Sequence, residues 1–283
     1  MKPIAWITGA GGLIGNYLAQ TAPHCAPGWR VTALTRDTLD LADFPAVRHA
    51  FRRQKPDLLI HCAALSRSPD CQANPPLAQK LNVEVTAWLV ELASDIPFLF
   101  FSSDLVFDGQ LGNYDESTAP HPLSVYAETK IAAEQMVLAN PKHTVVRASL
   151  NGGTSPSGMR GFNEELRHAW KAGRTLTLFI DEFRSPMPAV VTARAIWELV
   201  AQNQPGLYHL GGRERLSRWQ IGQLIAARWP QLNPRIEPTS LRDYQGAARS
   251  PDTSLNSAKI QKLLSFPLPG LTDWLAAHPS EQF

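Results

Sequence analysis

Short apolar runs alternate with longer amphipathic segments through the first half of the chain. The run Ile4–Thr8 precedes a segment from Gly12 to Ala22 whose apolar residues recur at helical spacing. The same pairing recurs at 30–35 and 43–54, where Asp43 is placed to cap a helix. Apolar runs bounded by turn residues predict strands, and periodic segments predict helices. Further strands are predicted at residues 57–63, 97–102 and 143–148, and further helices at residues 75–93 and 123–139.

This order of elements predicts an α/β fold with a doubly wound parallel sheet. Parallel strands are joined by right-handed crossovers, so helices cover both faces of such a sheet. After residue 150 the alternation loosens, and a segment rich in Gly, Ser and Pro at 151–158 predicts a mobile loop. Further helices are predicted at 162–171, 192–201 and 217–228, and a strand at 175–180. We expect residues 1–152 to form the larger domain together with about 188–212, and 153–283 to form mainly a smaller, interleaved domain.

The bulk composition narrows the class of protein. The chain has 283 residues, of which 44% are hydrophobic and 18% are charged, and its net charge is +2. This balance favours neither a nucleic acid nor a membrane as partner, and no apolar run approaches the roughly 18 residues of a membrane span. Three cysteines without CxxC spacing are typical of a reducing compartment and indicate no metal site. Because a strand-like run starts within four residues of the N-terminus, we expect no signal peptide and a cytoplasmic location.

A glycine-rich turn joins the first strand to the first helix. Gly9, Gly12 and Gly15 are spaced three apart, and Leu13 and Ile14 open the helix. The tight turn, the close approach of backbone to a pyrophosphate and the packing of helix on strand each require a glycine. The helix N-terminus adds N–H donors and a positive dipole end. The turn therefore predicts a dinucleotide-binding Rossmann domain, although a turn that merely connects strand to helix has the same glycines.

The end of the second strand bears on the choice of dinucleotide. A carboxylate there binds an unphosphorylated ribose, whereas a guanidinium pairs with a 2′-phosphate. This chain has Arg36 at that point, with Asp37 next to it. We therefore expect NADPH in preference to NADH, and keep NADH as the alternative.

Three side chains form a candidate catalytic set. Tyr126 and Lys130 are four residues apart on a predicted helix and so share one face. The ammonium lowers the pKa of the phenol, which is otherwise a poor acid or base at neutral pH. Ser103, at the end of the fourth strand, can donate to an oxygen where negative charge develops. Asn82, on the long helix, can hold a backbone carbonyl or a water. Each residue alone has a structural explanation, and their order along the chain favours hydride transfer to or from a carbonyl.

Four stretches of the chain resemble signatures of one enzyme family. Residues 101–109 and 122–130 are similar to the Ser-Thr-Asp-Tyr-Val-Phe-Asp-Gly stretch and the Tyr-x-x-x-Lys helix of extended short-chain dehydrogenase/reductases. They resemble most the dTDP-4-dehydrorhamnose reductase subfamily, as do residues 181–186 and 249–255. Leu105 stands where that subfamily usually carries Tyr, and Leu150 where many members carry Trp.

The resemblance implies further site residues. It places cofactor contacts at Asp40, Leu41, Ala63, Ala64, Ser102 and Ser149, besides the glycine turn, Asn82, Tyr126 and Lys130. Substrate contacts are expected from the loops after the strands, at Ser66, Arg67, Asp104, Asn151 and Arg184. Among these, Arg67 and Arg184 are candidates to hold a substrate phosphate.

The resemblance also implies the activity. We expect an NAD(P)H-dependent reductase of a keto-sugar, with a nucleotide-linked 4-keto sugar as substrate. Two alternatives stay open: a non-catalytic, NADP-binding regulatory subunit, which resembles the same subfamily, and a sugar-nucleotide epimerase. Because dimers formed through helices are common in this superfamily, a homodimer is kept open as well.

Overall fold

A six-stranded parallel sheet forms the centre of the molecule. The computed structural model describes residues 2–281 and 283. In spatial order the sheet strands are β2, β1, β3, β4, β5 and β10. They span Arg30–Leu34 (β2), Ile4–Thr8 (β1), Leu58–His61 (β3), Phe98–Ser103 (β4), Thr144–Ala148 (β5) and Gly206–Leu210 (β10). The predicted α/β fold with a doubly wound parallel sheet is confirmed.

Helices cover both faces of this sheet. In the described part of the chain they span Leu13–Cys25 (α1), Phe44–Gln54 (α2), Ser68–Ala73 (α3), Pro75–Ala78 (α4), Val85–Leu92 (α5), Val125–Leu138 (α6), Phe162–Lys171 (α7), Ala189–Gln202 (α8), Arg218–Arg228 (α9), Ala258–Gln261 (α10) and Leu271–Ala277 (α11). A π-helical segment, Gln79–Glu84, joins α4 to α5. Short 3₁₀ segments lie at Asp104–Val106, Pro230–Leu232 and Leu241–Asp243.

Alternate side chains of each strand enter two separate cores. On β1, Ala5 and Ile7 pack with Trp197 and neighbouring residues on the face that α1 and α8 cover. Trp6 points to the opposite face, where α2, α5 and α6 contribute the apolar residues. Because both faces are covered, the strands are apolar at nearly every position instead of alternating.

The chain order reverses between β1 and β3. The connection from β1 leads to β2 on one side, and the next connection leads to β3 on the other. Open α/β sheets bind ligands at such a switch point, beyond the carboxyl ends of the strands. The glycine turn follows β1 at this point, so the fold places it where a cofactor is expected.

Three two-stranded sheets lie outside the main sheet. They pair β6 (Asn151–Gly152) with β9 (Met187–Pro188), β7 (Leu176–Phe179) with β12 (Ile236–Thr239), and β8 (Phe183–Arg184) with β11 (Leu216–Ser217). A third apolar cluster, which includes Trp170, Ile221 and Trp274, packs α7, α9 and α11 together here. The division into domains at about residue 152 stays a prediction.

Several sequence-based expectations need correction. The predicted helix at 75–93 is interrupted by the π-helical segment, and α3 was not predicted. The strand β10 was not predicted, because its short run is only partly apolar and ends in a histidine and a leucine. The loop expected at 151–158 begins with a strand, β6. The segment that follows β6 is held by the buried Glu164 carboxylate, which accepts from the Ser155 and Gly161 amides at 2.7 and 2.8 Å.

Within residues 2–281 and 283, no helix combines the length and apolar character needed to cross a membrane.

Candidate active site

The glycine turn lies directly against the end of β3. Gly9 has a φ of +68°, and a Cβ placed on it would lie 2.6 Å from the Ala63 amide nitrogen. A Cβ on Gly15 would lie 2.5 Å from the Gly9 carbonyl oxygen. Gly12 caps α1 without a side chain, and Leu13 and Ile14 form the first turn, which carries no acidic residue. The positive end of the helix dipole therefore faces a backbone cradle without side chains, as an anionic pyrophosphate requires.

A buried threonine and a histidine fix the other wall of this cradle. The Thr8 hydroxyl accepts from the backbone amides of Cys62 and Ala63, at 3.2 and 3.3 Å. The same hydroxyl lies 2.7 Å from His61 Nδ1, and Thr86 Oγ1 lies 3.2 Å from His61 Nε2. Burial lowers the pKa of His61 to about 3, so the ring is neutral. It serves as a hydrogen-bonding spacer between β1, β3 and the helix behind them.

The residues expected to select the cofactor lie beyond β2. Arg36 is exposed and follows Thr35, whose methyl group lies 3.9 Å from a Cβ placed on Gly11 of the turn. Asp40 is exposed and accepts from the Ala42 amide at 3.0 Å, and the half-buried Leu41 packs on the core. Arg36 is therefore exposed and directly follows a residue that borders the glycine turn, and its contact with a ribose phosphate stays a prediction.

Ser103 ends β4 one strand beyond the switch point. Its side chain is 8% exposed, and its hydroxyl donates to Asp104 Oδ1 at 3.2 Å and accepts from the Leu105 amide at 3.2 Å. The other Asp104 oxygen accepts from Ser149 and Thr253, at 3.0 and 3.1 Å. Ser103 is thus held at the floor of the site by its neighbour's carboxylate.

Tyr126 and Lys130 lie in the first two turns of α6. The helix begins at Val125 because the Ser124 hydroxyl caps it by accepting from the Ala127 amide at 3.3 Å. Tyr126 is 7% exposed and Lys130 is 4% exposed. Lys130 Nζ donates to the Phe101 carbonyl at 2.7 Å, which leaves two further N–H donors.

The pKa shifts link Tyr126 to Ser103 and Asp104, and Lys130 to Glu134 and His61, whereas the lowering of the Tyr126 pKa by Lys130 that the sequence suggested is not observed. Burial raises the pKa of Tyr126, a hydrogen bond with Ser103 lowers it, and the Asp104 charge raises it. Burial lowers the pKa of Lys130 to about 8, against a smaller opposing effect of Glu134. The Lys130 charge in turn lowers the pKa of His61 at the end of β3. The phenol is therefore next to Ser103, and the ammonium lies next to the wall of the cradle.

Asn82 links the catalytic helix to the loop after β3. Its carboxamide accepts from the Leu65 amide at 2.8 Å and donates to the Leu65 carbonyl at 3.1 Å. It also donates at 3.0 Å to the Thr129 hydroxyl, which donates to the Tyr126 carbonyl at 2.7 Å. Asn82 is 1% exposed and lies in the π-helical segment, a distortion that often occurs at functional sites. It holds a backbone carbonyl, which is one of the two roles expected for it.

The site fits a nicotinamide dinucleotide. Among the described residues, the Ser102 hydroxyl is one of three buried side-chain groups without a hydrogen-bonding partner. Ser102 precedes Ser103 at the carboxyl end of β4, so a bound group can satisfy this orphaned hydroxyl. Ala63 and Ala64 are half-buried beside the cradle, with side chains too small to fill it. The assignment of individual cofactor contacts stays a prediction.

The residues expected to contact substrate fall into two groups. Ser66 and Arg67 are exposed, and Arg67 Nε lies 4.0 Å from Asp70, so both are accessible from solvent. Asn151 is buried and donates to the Ser149 carbonyl at 2.9 Å. Arg184 is 3% exposed, and its guanidinium is engaged by protein groups, with Glu182 Oε1 at 2.9 Å. Arg67 and Arg184 thus differ sharply in access, although both were candidates, with Arg160, Arg213 and Arg215, to hold a substrate phosphate.

Several residues of the site were missed from the sequence. Thr8, His61 and Thr86 build the wall of the cradle, and Glu182 carries a buried charge cluster. A histidine at the end of an apolar strand is a weak signal, because most such residues are structural. Thr8 could have been identified from the sequence, because it directly precedes the glycine turn.

These features define a Rossmann-type protein with the Ser-Tyr-Lys set of the extended short-chain dehydrogenase/reductase class. The family model for the RmlD substrate binding domain matches residues 4–278. The chain therefore belongs to the RmlD substrate binding domain family. The resemblance inferred from the sequence is therefore confirmed. The family and the fold also confirm the prediction of an oxidoreductase of the extended short-chain dehydrogenase/reductase type.

Two curated relatives cover nearly the whole chain. The probable low-salt glycan biosynthesis reductase Agl14 of Haloferax volcanii is 29% identical over 96% of each chain. The methionine adenosyltransferase 2 subunit beta of Xenopus laevis is 27% identical over 92% of this chain and 82% of its own. Among solved structures, the dTDP-4-dehydrorhamnose reductase of Bacillus anthracis in complex with NADP superposes with a TM-score of 0.87, at 22% identity and 98% coverage of each chain.

The buried ammonium predicts a pH-dependent stability difference. The pKa of Lys130 is about 8 in the folded protein and 10.5 for an ordinary lysine. Between these values the unfolded chain binds a proton that the folded protein does not, so rising pH stabilises the wild type. Relative to Lys130→Met, the free energy of unfolding of the wild type should increase by about 3 kcal/mol across this window.

Denaturant unfolding at a series of pH values measures this difference. Lys171→Met, which removes an exposed lysine, is the matched control and should give a curve parallel to that of the wild type. Parallel curves for wild type and Lys130→Met would show that the ammonium is not desolvated.

Proposed function

We propose that this protein is an NAD(P)H-dependent reductase of a keto-sugar, with a nucleotide-linked 4-keto sugar as its substrate class. The observation that carries the proposal is that Tyr126 lies next to Ser103 at the end of β4, with Lys130 one turn along the same helix and bonded to the Phe101 carbonyl of β4. The reductase names of the relative Agl14 and of the structural neighbour support it. Because Leu105 and Leu150 replace two aromatic residues expected in the subfamily, the identity of the sugar is left at the level of a class.

The chemistry follows from the groups that line the site. When bound, the reduced nicotinamide supplies the hydride. Tyr126 donates its proton to the carbonyl oxygen of the substrate, and Ser103 donates a hydrogen bond to the same oxygen as negative charge develops there. Lys130 would stabilise the phenolate that remains, and the two N–H donors not used by the Phe101 carbonyl would be available to the phenolate and to a cofactor ribose. At neutral pH a pKa of about 8 keeps the ammonium mostly protonated.

The cofactor in this proposal is NADPH, with NADH as the alternative. The exposed Arg36 beside the cradle supports a 2′-phosphate. The NADP complex of the structural neighbour agrees with this choice. We further propose a cytoplasmic location, which the three free cysteines favour. A homodimer stays a prediction.

A second candidate function is that of a non-catalytic regulatory subunit. The relative named as subunit beta of methionine adenosyltransferase 2 favours it, because its match covers most of this chain. A pull-down with a methionine adenosyltransferase, beside an assay of NADPH oxidation with a panel of keto-sugars, separates the two functions. An epimerase, the third alternative, retains its cofactor through turnover, whereas a reductase must exchange it.

Replacement of the catalytic phenol tests the proposed chemistry. Tyr126→Phe removes the proton donor and preserves the ring that packs in the site, so we expect kcat to decrease by about 10² to 10⁴. NADPH affinity should change little, because the cradle is untouched. Steady-state kinetics and fluorescence titration of NADPH measure these quantities. A variant with near-full activity would remove Tyr126 from the acid role.

Replacement of Arg36 tests the cofactor preference. Arg36→Gln removes the positive charge from the exposed position beside the turn, and should reduce NADPH affinity by about tenfold or more while NADH affinity stays the same. Titration of the variant and the wild type with NADPH and with NADH measures the ratio of the two affinities. Arg174→Gln, at an exposed position just after the end of α7, is a control. An unchanged ratio would show that Arg36 does not contact the cofactor.

A further inference from the structure

Arg184 is a buried charge that is linked to the candidate catalytic serine, Ser103, through Asp104. It lies on β8, its side chain is 3% exposed, and its Nε is 3.8 Å from Asp104 Oδ2. Its Nη1 donates to the carbonyls of Phe183 and Ser250, at 2.6 and 3.2 Å. Its Nη2 donates to Glu182 Oε1 at 2.9 Å. Because the guanidinium is enclosed in this way, it has no face with which to bind a substrate phosphate.

Asp104 connects this charge to the reacting groups. One of its oxygens accepts the proton of the Ser103 hydroxyl at 3.2 Å, and the other accepts from Ser149 and Thr253 and faces Arg184. A serine hydroxyl has a single proton to donate. Asp104 therefore competes with a substrate oxygen for the proton of Ser103.

The charges around Glu182 hold Arg184 in place. Glu182 is fully buried and pairs with Arg184, Arg218 and Arg249, the last two at 3.1 and 2.6 Å. With Asp104 the cluster contains two carboxylates and three guanidinium groups, so its net charge is positive. Buried charges persist only where partners compensate them, and here the surplus positive charge lies on the side of Asp104 away from Ser103.

We propose that Arg184 is a positioning residue of the reductase site: it offsets the charge of Asp104 and so releases the Ser103 proton to the substrate oxygen. This inference rests on the proposed function. It gives Arg184 a role that differs from the phosphate contact expected from the sequence. It also links the segment around Glu182, which lies in the expected substrate-binding part of the chain, to the catalytic serine.

The same charge acts on the phenol. The groups that act on Tyr126 are Ser103 at the end of β4, Asp104 directly after it and Cys71 on α3, and Lys130 lies one helical turn along α6. Among them the Asp104 charge raises the pKa of Tyr126. Without Arg184 this effect is no longer offset, so Tyr126 becomes a weaker acid.

The kinetics of variants that remove or preserve the charge of Arg184 test the proposal. Arg184→Met should lower kcat by about tenfold or more with the KM for NADPH within about twofold of the wild type. The ionisation of Tyr126 should move to higher pH in this variant, because the Asp104 charge then acts on the phenol without an offset. Arg184→Lys, which preserves the charge, should recover part of kcat. Adding Asp104→Asn to Arg184→Met should restore activity, because the amide lacks the charge that Arg184 offsets.

The controls separate positioning from stability. Arg194→Met removes an exposed arginine that pairs with Glu198 at 3.2 Å, and should leave kcat and the pH profile unchanged. If Arg184→Met does not fold, Thr253→Val carries the test: it preserves every charge and removes one donor to Asp104, so kcat should fall and the ionisation of Tyr126 should move to higher pH. An unchanged kcat and pH profile in the folded variant, or a double variant no more active than Arg184→Met, would overturn the proposal.

A titration without turnover distinguishes this inference from the proposed function. The tyrosinate absorbance of the NADP⁺-bound protein, taken as the difference from Tyr126→Phe, reports the ionisation of Tyr126 directly. A higher midpoint in Arg184→Met supports the inference even if no keto-sugar is reduced, and an equal midpoint contradicts it. Absence of keto-sugar reduction by the wild type would refute the proposed function alone.

Discussion

No side chain fits at Gly9, because its Cβ would meet the backbone at Ala63. This close approach brings the turn after β1 against the end of β3, and Gly15 lets α1 approach the same turn. The positive end of α1 and the ends of β3 and β4 therefore lie together at the carboxyl edge of the sheet. The proposed catalytic set depends on this backbone contact, because it leaves the helix N-terminus free of side chains at the end of β1.

The site is built from buried polar groups whose burial has an energetic cost. The charged side chains of Lys130 and Arg184 are buried. The neutral His61, whose pKa the Lys130 charge lowers, is buried at the end of β3. Charges in the interior destabilise a fold unless partners compensate them. Here the compensation comes from Glu134 for Lys130 and from Glu182 and Asp104 for Arg184. The fold thus accepts buried charges at the point where catalysis needs ammonium, phenol and carboxylate together.

The sequence was most informative where function depends on local spacing. The interval between Tyr126 and Lys130, and the glycines of the turn, require no knowledge of distant contacts, and the strands of the first half followed from their continuous apolar character. Long-range contacts were out of reach. The burial of Arg184 depends on Asp104, Glu182 and Ser250, which are far apart in the chain, so its sequence environment resembles that of a surface arginine.

The π-helical segment is a second feature that depends on long-range contacts and could not be predicted from the sequence. The apolar spacing from 75 to 93 predicts a regular helix, and only the contacts of Asn82 with Leu65 and Thr129 explain the inserted distortion. β10 was missed for a related reason, since its place beside β5 is set by the sheet and not by its own residues.

A crystal structure of the complex with NADP⁺ tests the central claim most directly. The account predicts that the pyrophosphate lies on the turn of Gly9, Gly12 and Gly15, and that the Tyr126 hydroxyl and Lys130 Nζ lie within hydrogen-bonding reach of the nicotinamide ribose. The nicotinamide ring should then face Ser103 across the space for a substrate carbonyl. A bound dinucleotide whose nicotinamide lies away from Tyr126 would contradict the account.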